Sequence, residues 1–186
     1  MVVTCIKNEL LHSATYFLGK YLVDCGDADK IVDVLDGKEL KGIFLTHCHQ
    51  DHIYGIERVL ECYPYAKVYC SQRTFLGLKD DEKNLSYIMP EHPIQFTKEN
   101  NVVVLDEGVY FLDGLKIEVI STPGHSEDCL TYIIEGNIFT GDSYIPFAKV
   151  FTKWPTSNNA LALENEAKLK EISEQRNLRI YPGHWQ

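Results

Sequence analysis

Apolar positions fall in short runs through the first quarter of the chain: VVTCI (2–6), SATYFLG (13–19) and KYLVDCG (20–26), with LGK as the turn between the latter two. Their enrichment in Val, Ile, Tyr and Thr, punctuated by glycine, predicts strands rather than helices. The period changes at ADKIVDVLD (28–36), where Ile31, Val34 and Leu35 share one side and Gly37 follows, which reads as a short amphipathic helix. KGIFLT (41–46) then predicts a buried strand, DHIYGIERVLECYP (51–64) a helix that stops before Pro64, and AKVYCS (66–71) a further strand. Residues 72–100 are polar and irregular, with a helix expected around SQRTFLGL, and read as a variable surface region.

Strand patterns return in NVVVLD (101–106), VYFLDG (109–114), LKIEVIST (115–122), LTYIIEG (130–136) and NIFTGD (137–142), several separated by Gly or Asp-Gly turns. NNALALENEAKLKEISEQR (158–176) carries the strongest helical pattern, with Leu161, Ala162, Ala167, Leu169 and Ile172 expected on its buried face. LRIYPGH closes the chain as a strand and loop. This order describes an α/β chain of two similar halves, and helices layered around packed sheets fit it better than one parallel sheet does.

Length and composition change the picture little. The 186 residues suit one domain, taken as 1–186, and 45% hydrophobic with 24% charged residues is ordinary for a globular protein. A net charge of −9 disfavours a nucleic-acid partner, which needs a basic face. A small anionic substrate stays compatible, because a bound metal dominates the local field. The six cysteines lack CxxC spacing, the N-terminal stretch does not read as an export signal, and no apolar run reaches the ~20 residues of a membrane span. A cytoplasmic setting with free thiols is the expectation.

The chemistry concentrates in THCHQDH (46–52), which holds three of the seven histidines. His47 and His49, two apart at the end of an extended run, can lean to one side and share an ion. Asp51 and His52 follow at the expected start of a helix and face elsewhere, so the spacing suggests ligands for two neighbouring ions. Imidazole and carboxylate are the ligand types that Zn(II) accepts. Three later stretches each end an apolar strand in a glycine-containing turn and deliver one more such residue: STPGHSEDC with His125, IFTGDSY with Asp142 and IYPGHWQ with His184.

In order and setting these motifs resemble the metallo-β-lactamase superfamily, and within it the glyoxalase-II-like branch. The HxHxDH, PGH, bridging-Asp and final PGH elements are matched, together with the early VDCGD and the KNLS at 83–86. The resemblance implies a four-layer αβ/βα sandwich with a dinuclear site at the sheet edges. By it, His47, His49 and His125 hold one divalent ion, Asp51, His52 and His184 hold the other, and Asp142 bridges them. The ions would be zinc first, with iron or manganese as alternatives. It further implies hydrolysis of a thioester, ester or lactone of a small molecule by a shared hydroxide, which Asp51 orients and whose proton it carries.

Asp24, Thr46 or Thr122 are the groups expected to fix imidazole tautomers, Asp24 foremost. Tyr144 and Lys149 are the candidates for touching substrate, with Lys153 a further lysine in the same loop. Cys48, by alternation, should point away from the ions, and Cys25 should fill space. His12 and His92 match no motif position. No helical segment follows the last PGH in this sequence, so thiol recognition of the glyoxalase II kind is expected to be missing or built differently. Two other readings compete: a mononuclear-iron persulfide dioxygenase on the same fold, and a non-catalytic metal-binding module.

Overall fold

The computed structural model describes residues 1–90 and 93–186; His92 therefore lies outside the described residues. Six strands form one sheet in chain order: β1 (Val3–Lys7), β2 (Ala14–Leu18), β3 (Tyr21–Val23), β4 (Gly42–Phe44), β5 (Lys67–Cys70) and β6 (Val102–Val104). β1 to β3 pair antiparallel and β3 to β6 parallel. The second sheet has the order β11-β10-β9-β8-β7, built from β7 (Gly108–Leu112), β8 (Leu115–Ser121), β9 (Leu130–Ile134), β10 (Asn137–Gly141) and β11 (Arg179–Pro182). Only its last pair, β10 with β11, is parallel. The parallel pairs require crossovers, and these carry the helices: α1 (Ala28–Leu35), α2 (Gln50–Ile53), α3 (Ile56–Cys62), α4 (Gln72–Gly77) and α5 (Asn159–Gln175).

Side-chain alternation along the strands sorts the core into three layers. Tyr21, Val23 and Phe44 point between the sheets, where they meet Tyr132, Ile134 and Phe139. Their chain neighbours Leu22, Ile43 and Leu45 point the other way, onto Ile31, Leu35, Ile56 and Leu60 of α1 and α3. In the second sheet Ile133 and Ile138 turn outward onto Leu169 of α5. Helices thus cover one face of each sheet and the sheets cover each other, giving the four-layer αβ/βα sandwich. Strands covered on both faces need no polar side, and β2, β3, β9 and β10 are buried at every position. Phe44 and Tyr132, ring centroids 5.2 Å apart, lie mid-sandwich, and truncating such a ring costs about 3–5 kcal/mol.

Helix starts follow local chemistry. The side chains of Asp27, Ser71 and Asn158 accept from the backbone N–H three residues on, capping α1, α4 and α5. The Asp113-Gly114 turn has φ of 50° and 81°, the left-handed pair that matches the twist of the β7–β8 hairpin.

Two expectations change. The helix expected over 51–64 is two helices, because the loop after β3 takes its backbone groups. Cys25 N donates to His52 O at 2.7 Å, and Gly55 N donates to Cys25 O at 3.1 Å. On α5 the buried residues are Ala162, Asn165, Leu169 and Ser173, while Leu161 and Ala167 are exposed. The helix crosses the sheet on a narrow seam of small residues, and Ala167 falls on the opposite side at ~100° per residue. Asn165 is tied down by donating to Pro123 O at 2.7 Å.

All six cysteines are free. Among the described residues, no helix is long and apolar enough to cross a membrane.

Candidate metal centre

The loops that follow β4, β8, β10 and β11 leave the sandwich at one rim, and each delivers part of a His/Asp cluster. After β4 the chain bends at Thr46 and reaches His49, whose backbone is extended, before entering α2; His47 and His49 flank Cys48. Cys48 turns outward, its Sγ against the position a Cβ on Gly77 would occupy, while its N–H donates to Asp128 Oδ2 at 2.8 Å. His125, Asp142 and His184 follow the ends of β8, β10 and β11. All seven sequence candidates converge here. Three groups among them have ligand atoms within 4.8 Å of one another: His47 with His49 and His125; His47 with His52 and Asp142; Asp51 with His52 and His184.

Asp142 sits at the middle. Its Oδ2 lies 3.3 Å from His125 Nε2 and 3.2 Å from His184 Nε2, and its Oδ1 lies 3.5 Å from His52 Nε2. Asp51 Oδ2 lies 3.4 Å from His52 Nε2 and 3.6 Å from His184 Nε2. Gly183 permits this closeness, since a Cβ there would stand 2.1 Å from Asp142 Oδ1.

Outer hydrogen bonds aim the rings. His52 Nδ1 donates to Asp24 Oδ2 at 2.9 Å. Thr46 donates to Asp24 from both its N–H (2.8 Å) and its hydroxyl, whose oxygen in turn accepts from His47 Nδ1 at 3.0 Å. One buried carboxylate thus holds two imidazoles with Nε2 turned inward, at the cost of a left-handed backbone at Asp24, φ 60°. His125 Nδ1 donates to Phe151 O at 2.8 Å, and His184 Nδ1 donates to Leu11 O at 2.9 Å. A carbonyl only accepts, so these tautomers also present Nε2 to the centre. Thr122, by contrast, bonds Thr131 and Ser143 and meets no imidazole.

The residues fit metal ions. His47 Nε2, His49 Nε2, His52 Nε2 and Asp142 Oδ1 are buried without a hydrogen-bond partner, an arrangement that costs free energy unless a ligand takes them up. Electrostatics agree. Burial, then the neighbouring imidazoles, push His47 and His49 well below the ordinary histidine range, so both stay neutral donors. Burial opposes a charge on His52, but Asp51, Asp142 and Asp24 raise it to about 10. Burial would also raise Asp142, yet the imidazoles of His52, His125 and His184 hold it well below the usual carboxylate range. The centre therefore demands positive charge, as proton or as metal.

A cavity of about 490 Å³ opens onto Asp51, His125, Asp142 and His184. Its other walls come from Leu11, from Leu85, Ile88 and Met89, and from Phe151 and Trp154. Neither substrate candidate from sequence is there. Tyr144 packs on the cluster beneath α5 with Ile120 and Ile138, because the residues after Asp142 turn back toward the helix. Lys149 and Lys153 are exposed and line no part of the cavity.

Sequence reasoning missed the residues that hold the loops. Asp128 accepts from Cys48 N, Thr74 Oγ1 and Ser126 Oγ. Asn84 O accepts from Gln50 N at 2.8 Å, and Ser13 Oγ donates to Asp51 O at 2.6 Å. Asp128 and Asn84 lie within the STPGHSEDC and KNLS stretches, yet spacing names no partner for them; their burial in the fold reveals the role.

The sequence profile of the metallo-beta-lactamase superfamily matches residues 10–184, and the chain belongs to that superfamily. It is 34% identical over 125 residues to a hydroxyacylglutathione hydrolase of Aeromonas salmonicida, covering 66% of this chain and 41% of that protein. It is 27% identical over 193 residues to a probable metallo-hydrolase of Streptococcus pyogenes, covering 95% and 81%. The chain thus spans well under two thirds of the hydroxyacylglutathione hydrolase. Among solved structures, it superposes on the BLEG-1 B3 metallo-beta-lactamase with TM-score 0.81 at 23% identity, covering 100% and 92% of the two chains. It also superposes on the di-iron-bound form of TTHA1623 with TM-score 0.82 at 20% identity, covering 98% and 92%. At those identities the likeness is one of fold.

Proposed function

We propose that the chain is a metal-dependent hydrolase of a small-molecule thioester, ester or lactone. His47, His49 and His125 would hold one divalent ion, Asp51, His52 and His184 a second, and Asp142 would reach both. The observation that carries this reading is the convergence of buried imidazole and carboxylate atoms, several of them without a partner, on one centre beside an open cavity. Similarity to a hydroxyacylglutathione hydrolase supports a thioester as the bond class. Zinc suits this donor set, and iron or manganese are compatible with it.

Bound there, divalent ions supply Lewis acidity that polarises an acyl carbonyl and acidifies water to a pKa of about 7. The chain's own groups do the rest. Asp51, whose carboxyl is raised by burial, stands on the cavity wall. Its Oδ2 can orient the attacking water, take its proton and return it to the departing thiolate or alkoxide. Asp24 keeps His52 from rotating, and the apolar walls limit competing water. Metal quantification after aerobic and anaerobic purification, with a panel of thioesters, lactones and persulfides, tests the proposal. Two ions per chain and oxygen-independent acyl release are expected. One iron with oxygen uptake on a persulfide would replace hydrolysis with the dioxygenase reading; no ion and no turnover would leave a binding module.

A further inference from the structure

The wall of the cavity opposite the His/Asp cluster consists of Leu11, Leu85, Ile88, Met89, Phe151 and Trp154. These come from three separate loops, and among the described residues no lysine or arginine lines the cavity. Leu11 is 57% exposed and Phe151 45%, so large apolar side chains stand uncovered at its mouth. Two of the six are also strained. Leu11 has φ 50° and Leu85 φ 65°, a left-handed backbone that a branched side chain adopts only when its surroundings enforce it. The enforcing contacts are those of the site. Leu11 O accepts from His184, and the loop carrying Leu85 is anchored through buried Asn84, which accepts from the N–H of Gln50 and donates to Gly77 O. The same bonds that aim His184 and steady the start of α2 therefore set two leucines into the cavity wall.

We propose that this wall selects an uncharged, apolar acyl group, so that the substrate is a lipophilic thioester or ester rather than one carried on a charged thiol such as glutathione. The bond broken rests on the hydrolase reading above; the selectivity rests on the wall. Water adds to the acyl carbon, the carbon–sulfur bond breaks, and the thiol leaves with a proton: R–CO–SR′ and H2O give R–COOH and HSR′.

Two measurements test it. For metal-loaded protein with acyl-N-acetylcysteamine thioesters from acetyl to octanoyl, kcat/KM should rise by up to about fourfold per methylene while the chain contacts the wall. Octanoyl-glutathione should be at least tenfold poorer than octanoyl-N-acetylcysteamine. Ile88→Lys should flatten the length dependence with metal content unchanged. Binding is read separately, from Trp154 fluorescence in a Trp185→Phe background, using the non-hydrolysable thioethers S-octyl-N-acetylcysteamine and S-octylglutathione. The first should bind at least tenfold tighter, and shortening its chain should weaken it. Chain-length-dependent binding without turnover of any thioester, ester or lactone would sustain the apolar wall and remove the hydrolase reading. Preferred turnover or binding of the glutathione compounds, or no length dependence, would overturn the wall and leave hydrolysis standing.

Discussion

The set His47, His49 and His125 and the set Asp51, His52 and His184 adjoin each other around Asp142, yet they are built from opposite materials. In the first, imidazole faces imidazole: His49 Nδ1 is 2.9 Å from His125 Nε2, and the His47 and His49 ring centroids are 4.6 Å apart. Crowded, buried rings repel protons, which pushes His47 and His49 down and leaves them neutral. In the second, carboxylates surround imidazoles, which raises His52 and His184 although burial works against both. The lesson is that neighbouring ligand sets need not be equivalent: one offers lone pairs, the other negative charge.

The two sets share the segment after β4 and differ in the strand that supplies the third member. The first follows β4 and β8, deep in the two sheets. The second needs His184, which follows β11 and is held by a patchwork: a bridge to Ser13, the bond to Leu11 O, and Trp185. Trp185 donates from its backbone to His12 O at 3.0 Å, and its ring lies 4.7 Å from the ring of His12. These contacts tie the second sheet to the first at the rim.

Asp142→Ala should erase the distinction altogether, since it removes the carboxylate common to both sets. Metal analysis should show loss at both positions, with turnover down about 10³-fold or more. Wild-type metal content in this variant would defeat its bridging assignment. His184→Ala and His125→Ala should instead separate the sets, each lowering bound metal by about one ion and turnover roughly 10²–10³-fold. Indistinguishable metal titrations in the two variants would mean the sets form a single site.

Asp24→Asn is a sharper probe. Asn tolerates the left-handed backbone at this position, so the loop is kept while the charge and one acceptor oxygen behind His52 and His47 are lost. Metal affinity should fall about 10–100-fold, read by competition with a chelating dye, while the fold persists by circular dichroism. An unchanged affinity would show that the outer carboxylate does not tune the rings. Trp185→Ala should have the smallest effect, about 1–2 kcal/mol of stability seen as a melting point lowered by roughly 3–8 °C. Any loss of metal should be confined to the second set.

Legibility followed pattern strength. THCHQDH and the two PGH turns are local, and His125, Asp142 and His184 could be read because each ends an apolar strand in a glycine turn. Alternation likewise placed Cys48 outward, and the structure agrees. Tyr144 failed because its direction depends on where the chain turns after Asp142, toward the α5 cluster rather than the cavity. The α5 face failed for Leu161 and Ala167 because the sheet presents a seam for small side chains, which apolarity alone does not reveal. Among the three groups named as tautomer anchors, Asp24 and Thr46 serve and Thr122 does not; one-dimensional spacing is blind to that choice.

What the sequence by itself determined is the set of elements and the chemical identity of the seven rim residues, because strand period, turn glycines and ligand motifs are encoded over a few adjacent positions. Tertiary structure alone decided which nitrogen each imidazole turns inward, that Asp142 stands between the two sets, and that leucines from distant loops wall the cavity. Those are relations between segments up to 173 residues apart, as between His184 and Leu11. Such relations exist only once three packed layers of core have set the distance and angle between the loops.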